Sequence, residues 1–473
     1  MAPLSSSVLD SLWHDADLRE ARLRDVVAER LACCPAPSLE DQVVATYFFA
    51  LRTLRLVELG REIAYHATSG IKNPPKDSLL AECTGQTVGI DAWDGSGRIG
   101  LLHMAYPLKM LLNEAGALSS CDLLHTSAGA IIFDVFENQD ARLLWLTLPE
   151  RVIHTFPGPA YGASGIREAT NLPTDQLAFG TILKPTAGIT PTEVGALVQE
   201  IAACPLFVFA KEDENLYPRV PYSPVKERTR QAVAAVNKNR DNRNGRGFLY
   251  VPHVTGSPHE ILDSVHQALE AGASGVMFSE SFANGTVRMV REATRKLERP
   301  PAIYGHNGGI GVRTRCIWRD VIDYLARLDG IDFRQTAPVL PDRPFIRPYG
   351  AEWEASERIL TMPVPGIKPV MIARAGGLDQ GNIILNLQDA ERRGLASGIL
   401  FLAGSAINSI KGPEGKVDPR YAAEGLQQAI EIHRSGVLRD VPAREHLTAL
   451  LAIVAEKRYV ALADAIRQRY PAA

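Results

Sequence analysis

Apolar residues recur along this chain with two different spacings, and the change from one to the other divides it. Residues 8–32 carry Leu9, Leu12, Trp13, Leu18, Leu23 and Val26 near helical spacing, which predicts one amphipathic helix. "CCPAPSLED" then breaks it, with Pro35 and Pro37 as punctuation. From Val43 to about Leu148, short apolar runs ("QVVATYFFAL", "GAIIFDVF", "ARLLWLTL") alternate with helix-like segments such as "PLKMLLNEAG", the pattern of an α+β layer domain. "HTFPGPAYGASGIRE", rich in Pro and Gly, reads as a linker.

After Asn171 the rhythm becomes regular. Eight short apolar strands follow: "LAFGTILKP", "LFVFAKEDE", "GFLYVPHVTG", "SGVMFSES", "PAIYGHNGG", "IDFRQTAP", "PVMIARAGG" and "GILFLAGSA". Helix-length segments such as "PTEVGALVQEIAA" and "PHEILDSVHQALEAG" separate them. Strands alternating with helices in this way predict an α/β fold, a (β/α)8 TIM barrel. The tail from about Arg420 is helical again. The expected organisation is a helical extension at 1–37, an N-terminal α+β domain at 38–165, the barrel at 166–420 and a helical segment at 421–473.

Barrels of this kind collect their chemistry at the C-terminal ends of the strands. The polar residues falling there are Lys184, the run Lys211–Asn215, His253, Ser279 and Glu280, His306 and Asn307, Gln335 and Thr336, and Arg374. Lys211 and Asp213 share a face because strand side chains alternate, and Glu214 can turn to the same point. Two carboxylates with a third oxygen suit Mg²⁺, a hard cation that takes few protein ligands and keeps waters. A lysine is not a ligand unless its amine is modified, and a CO2-derived carbamate would make it one. The competing reading is a solvated strand end with a Lys–Asp pair. Lys184, before Pro185, is placed to serve as a general base or to snorkel at the rim. His306 stands among glycines, as either a site or a structural histidine. Gly376 and Gly377 after the seventh strand, with Gly404 and Ser405 after the eighth, form the turn that in such barrels cradles a phosphate, although glycine there is also plain turn chemistry.

Composition narrows the classes. The 473 residues need two or more domains or a large barrel. With Lys plus Arg at 51 against Asp plus Glu at 54, the net charge of −3 suggests neither a nucleic-acid nor a membrane-surface partner. The six cysteines lack metal-binding spacing, and the adjacent Cys33 and Cys34 suit a reduced compartment. No signal-peptide pattern opens the sequence and no apolar run reaches membrane-spanning length, so a cytoplasmic protein is expected.

The strings "FPGPAYGASGIRE", "GTILKPTAGITP", "KEDEN" and "TMPVPGIKPVMIARAGGL" resemble, in order and spacing, the large subunit of ribulose-bisphosphate carboxylase/oxygenase (RuBisCO), and the resemblance runs from Asp41 to about His433. It implies an N-terminal α+β domain, a barrel, and a homodimer or higher oligomer whose active site lies between subunits. It further implies that Lys211 is the carbamylated lysine, that Asp213 and Glu214 bind Mg²⁺ with it, that Lys184 is the proton-abstracting base, and that His306 is the family's fifth-strand histidine.

Other family positions differ. The second lysine of the family's "KPK" is Thr186, the arginine after the fifth-strand histidine is Asn307, and the sixth-strand histidine is Gln335. The loop "VLPDRPFIRPYG" contains no lysine to hold a new carboxylate and offers Arg343 and Arg347 instead. In the seventh loop the family serine is Ala375, preceded by Arg374. The family's "ESSTGTW" corresponds to "HATSGIK", so its catalytic glutamate is His66, and its catalytic asparagine falls at or beside Ile131. These changes remove CO2 capture and part of the bisphosphate grip but leave a metal site and a base. The chain therefore resembles a RuBisCO-like protein of the form IV type. The expected activity is Mg-dependent proton abstraction and enediolate stabilisation on an anionic, phosphorylated or carboxylated sugar-derived substrate, of isomerase, enolase or decarboxylase (lyase) type. Arg343, Arg374 and Asn307, with the glycines and Ser405, are the expected substrate contacts. A genuine carboxylase and a catalytically silent scaffold are the alternatives.

Overall fold

The structure, a computed structural model, describes residues 3–14, 16–282, 285–340, 350–455 and 458–471. Arg343 and Arg347 lie outside the described residues.

Strands β1 (Gln42–Leu51), β2 (Gln86–Ala92), β3 (Ile99–Pro107) and β4 (Asn138–Thr147) form an antiparallel sheet in the order β2-β3-β1-β4. In β1, Val43, Ala45, Tyr47 and Phe49 enter one apolar cluster and Phe48 and Ala50 another, so the strand is buried on both faces. The N-terminal extension covers the second face. It consists of two helices, Ser6–His14 and Ala16–Cys33, where the hydrophobic spacing predicts one, and Leu12, Leu23 and Val27 pack against Phe48, Trp93 and Trp318. Charged contacts fasten it at several places. Arg30 makes two 2.7 Å bonds to the Asp91 carboxylate, Arg19 reaches Asp140 at 2.5 Å, and Arg24 pairs with Asp320 at 2.8 Å while lying 4.1 Å from the Trp318 ring.

Two expected elements differ. Within "GAIIFDVF" the chain forms a short helix, Ala130–Phe133, not a strand, and "PLKMLLNEAG" forms only a 3-10 turn, Leu108–Met110. An apolar run of four to eight residues fits either a strand or a buried helical turn. In the second segment the Asn113 side-chain oxygen accepts from the amides of Ala115 and Ala117, which rewards a turn instead of a helix.

The barrel strands are β5 (Ala178–Ile182), β6 (Phe207–Lys211), β7 (Leu249–Val251), β8 (Gly275–Phe278), β9 (Ala302–Gly305), β10 (Phe333–Thr336), β11 (Met371–Ala375) and β12 (Ile399–Ala403). All eight expected strands are present. They pair in parallel in the order β7-β6-β5-β12-β11-β10-β9-β8, and a parallel bridge between His253 and Met277 joins β7 to β8. Side chains alternate between an interior cluster (Phe209, Phe333, Met371, Ala373, Leu400, Leu402) and the layer between strands and helices (Ala210, Ile372, Ile399, Phe401).

The segment expected as a linker is ordered structure. Its helix Gly162–Ala169 brings Ile166 into the interior cluster with Leu249, Met371 and Leu400, which closes the barrel at the strands' N-terminal ends. Asp332 accepts from the amides of Tyr161 (2.7 Å) and Gly162 (3.0 Å). Gly162 sits at φ +62, and a Cβ there would lie 2.6 Å from the Pro369 carbonyl, so this close approach requires glycine.

Candidate active site

The run Lys211–Asn215 leaves β6 at the C-terminal mouth, and alternation sorts it. Lys211 and Asp213 point inward. Glu212 points into the strand–helix layer, where Arg228 binds both its oxygens (2.7 and 2.8 Å), Tyr250 donates to it at 2.6 Å and the His253 amide at 2.8 Å. Glu212 is therefore a saturated structural carboxylate. His253 is also structural: its ring is held between the Leu216 carbonyl (3.0 Å) and Thr255 Oγ1 (2.6 Å), and burial lowers its pKa to about 4.

The inward set converges. Lys184 Nζ donates to Asp213 Oδ2 at 2.5 Å, and the other Asp213 oxygen accepts from the amide and side chain of Asn215 at 3.1 and 3.3 Å. Lys211 Nζ, fully buried, lies 3.9 Å from Glu214 Oε2 and 5.5 Å from the centre of the Tyr304 ring. Burial pulls the Lys211 amine down to about 8, against the attraction of Glu214 and Asp213. His306 Nδ1 accepts from the Gly308 amide at 3.0 Å, so the proton of the neutral ring sits on Nε2, which faces Glu214 Oε2 at 3.3 Å. Burial lowers the His306 pKa, and although burial would raise that of Glu214, the His306 and Lys211 contacts hold it well below the usual carboxylate range.

Asn307 Oδ1 accepts from Gln335 Nε2 at 2.9 Å, and Gln335 accepts from Tyr304 Oη at 2.8 Å. Sequence reasoning missed Tyr304, although its inward parity on β9 marked it. On the far side of the mouth Gly376 (φ +97) and Gly377 (φ +101) lead out of β11, and a Cβ at Gly376 would meet no heavy atom within 4 Å, so this backbone borders open space. A Cβ at Gly404 would lie 3.8 Å from Lys184 Cε, which sets the loop after β12 beside that lysine. Ser405 Oγ accepts from Arg469 at 3.0 Å, and Tyr470 donates to Asp379, so the C-terminal helix Val460–Arg469 also reaches this rim.

Three rim expectations require correction. Arg374, expected to contact substrate, is fully buried in the strand–helix layer, where it binds Glu357 (2.9 Å twice) and Asp389 (2.6 Å). Its neighbour Ile372 belongs to the outer cluster, and the two-residue period carries Arg374 to the same side. Glu280 is likewise bound by Arg334 at 2.5 Å, and Thr336 donates to Glu357 at 3.1 Å. His66 ends the helix Leu56–His66 in the N-terminal domain and contacts Glu62 at 3.6 Å.

Among the described residues no three His, Cys, Asp or Glu side chains converge as a metal-binding group. The mouth offers two carboxylates, those of Asp213 and Glu214. None of the described helices is long and apolar enough to cross a membrane.

Comparison with known proteins agrees with this architecture. Residues 164–340 match the family model "Ribulose bisphosphate carboxylase large chain, catalytic domain". A 3-oxo-isoapionate-4-phosphate transcarboxylase/hydrolase of Xanthobacter autotrophicus is 32% identical over 216 residues, 46% of this chain and 49% of that protein, so the match spans about half the relative's length. A 3-oxo-isoapionate-4-phosphate decarboxylase of Rhizobium etli is 25% identical over 370 residues, 75% of this chain and 82% of that one. Among solved structures, the octameric RuBisCO of Pyrococcus horikoshii superposes with a TM-score of 0.74 at 21% identity, covering 92% of this chain and 95% of that one, a likeness of fold. The eight-stranded barrel, the antiparallel N-terminal sheet and the segment matched by the catalytic-domain model together make this chain similar to RuBisCO large chains and to RuBisCO-like relatives.

Proposed function

We propose that this protein is a RuBisCO-like enzyme that removes a proton from a carbon next to a carbonyl in a phosphorylated or carboxylated sugar-derived substrate, with Mg²⁺ and without fixing CO2. The observation that carries the reading is the convergence of Lys184, Lys211, Asp213, Glu214 and His306 at the C-terminal mouth.

Asp213, Glu214 and a carbamate on Lys211 are the oxygen donors for the cation. An amine pulled down to about 8 is partly neutral near neutral pH, so its lone pair can attack CO2, with one proton released as the carbamate forms. Lys184 Nζ donates to Asp213 Oδ2 at 2.5 Å, which sets the base beside a carboxylate of the cation site. When bound, Mg²⁺ supplies positive charge against the oxygen that turns negative as the proton leaves. Lys184 takes that proton at Nζ. His306, through Nε2–H, keeps the Glu214 carboxylate aimed. Asn307 has no protein acceptor for its side-chain N–H groups among the described residues, which leaves them for substrate. The backbone of Gly376, Gly377 and Gly404 with Ser405 accommodates an anionic group. The names of the relatives make a phosphorylated 3-oxo sugar acid the first compound to try, with decarboxylation as the outcome to look for. A homodimer or larger oligomer is part of this reading.

Calorimetric titration with Mg²⁺, with and without bicarbonate, tests the metal site. Binding is expected in the wild type, strengthened by bicarbonate, and absent in Asp213→Asn and Glu214→Gln at unchanged thermal stability. No heat from the wild type under either condition would end the proposal.

A further inference from the structure

The barrel has a second concavity at its opposite end. A cavity of about 430 Å³ lies along the helix Val225–Lys238 and the 3-10 turn Arg240–Arg243. Leu249 begins β7, Gly272–Ser274 lead into β8 and Ala302 begins β9, so these walls stand at the N-terminal ends of the strands. Lys184 and Lys211 stand at the C-terminal ends.

The lining is one-sided in charge. Arg240, Arg243, Arg246 and Arg299 all face this cavity, and no Asp or Glu lines it. Arg243, buried, donates to the carbonyls of Ala202, Phe207, Arg246 and Gly247. Arg246 donates to the Pro205 carbonyl at 3.0 Å and to the Gln176 amide oxygen, and Arg240 donates to the Asn237 amide oxygen at 3.0 Å. Arg299, exposed, makes no hydrogen bond or ion pair with a described residue. Carbonyl and amide oxygens orient these guanidinium groups but neutralise none of their charge. In the strand–helix layer, by contrast, Arg228, Arg291, Arg334 and Arg374 each meet a carboxylate. Burial, and then the nearby Arg246 cation, lower Arg243 to about 10. Several unneutralised cations around one hollow raise the local potential for an anion. The remaining wall is apolar, with Val233, Val236, Phe248 and Leu249. The volume falls in the range of small-molecule sites, about 300–1,000 Å³.

We propose that this cavity binds a phosphorylated small molecule of about nucleotide size, its phosphate held by Arg240, Arg246 and Arg299 and its uncharged body set against Val236 and Phe248. Guanidinium forks match phosphate oxygens in pairs, which a scatter of lysines would not. The site is separate from the mouth and does not depend on the reaction proposed there.

Pyrophosphate, AMP and adenosine serve as probes by calorimetry on the full-length protein. Pyrophosphate and AMP should bind the wild type, and adenosine should not. The double variant Arg240→Ala/Arg299→Ala changes two exposed side chains whose only hydrogen-bond partner among the described residues is Asn237. It should melt at the wild-type temperature yet bind AMP at least about tenfold more weakly, the loss expected for charge-assisted hydrogen bonds. Lys184→Met, at the other end of the barrel, should bind AMP as the wild type does. The proposal is overturned by no binding at millimolar AMP and pyrophosphate, by undiminished binding in the double variant, by adenosine binding as well as AMP, or by loss of binding in Lys184→Met.

Discussion

At the end of β6 and the end of β11 the chain places the same ingredients, a basic residue with carboxylates, and the two places behave in opposite ways. Around Arg374 the account is closed: Glu357 takes two of its bonds, Asp389 another, and Arg393 adds a second cation to both carboxylates. Around Lys211 it stays open. Among the described residues its amine donates only to the Glu212 carbonyl at 3.1 Å and stands 3.9 Å from Glu214, while Glu214 is 39% exposed and Lys184 32% exposed toward the mouth. Complete pairing suits a bolt between strand and helices. Incomplete pairing at a concave mouth suits groups that still have a partner to meet. Strand parity, not residue type, separates the two.

The largest expected effect lies on the open side. Lys184→Met keeps the stem and removes the amine. With a substrate in hand, exchange of its carbon-bound proton in D2O should fall by about 10²–10⁴-fold, the usual cost of losing a general base, while Mg²⁺ still binds. Exchange at the wild-type rate would move proton abstraction elsewhere, with His306 the next candidate.

On the closed side the response should be a loss of stability. Arg374→Met leaves Glu357 and Asp389 buried with fewer counter-charges, and breaking a buried pair from one side costs about 3–5 kcal/mol. Urea unfolding would read this as a lower midpoint with an unchanged slope. Mg²⁺ binding by the folded variant should be unaffected. If the variant is as stable as the wild type but loses metal or substrate binding, Arg374 belongs to the site after all.

A smaller effect contrasts two carboxylates on one helix, Arg319–Asp329. Asp323 is buried, which would raise its pKa, but Arg319 and Arg334 more than offset this and hold it low. Asp329, at the C-terminal end, accepts from Ser120 at 2.5 Å, its other oxygen has no hydrogen bond from a described residue, and burial pushes it up to about 7. Its folded pKa exceeds the unfolded value of about 3.9. Its contribution is therefore fully present below about pH 4 and is lost as the pH rises toward 7, on the order of 2–4 kcal/mol in all. Asp329→Asn should match the wild type near pH 3.5 and be more stable near pH 7.5. Equal pH profiles for the two proteins would show that Asp329 ionises normally.

Much of the architecture was legible because each barrel strand is a short apolar run bounded by turn residues, and the helices between them repeat with their own period. The mouth was legible as a set of polar residues at strand ends. Residue type alone does not say which of them face inward: the two-residue period turns Lys211 and Asp213 into the mouth and sends Glu280, Thr336 and Arg374 outward. The short runs at "GAIIFDVF" and "PLKMLLNEAG" fit more than one element, and tertiary packing and an Asn113 turn decided them. The arginines at the barrel's other end gave no signal, because Arg240, Arg246 and Arg299 are far apart in sequence or mixed with acidic neighbours such as Asp241 and Glu298.

The helix Ala16–Cys33 has a mechanical consequence. It grips the sheet through Arg19 and Arg30 and a helix of the barrel through Arg24, with Leu23 and Val27 pressed between Phe48 and Trp318. A clamp spanning two domains stiffens the joint between them: swinging the sheet away from the barrel would break ion pairs and wet two tryptophans in a single stroke. Within one chain, parting the sheet from the barrel therefore means losing all of these contacts together.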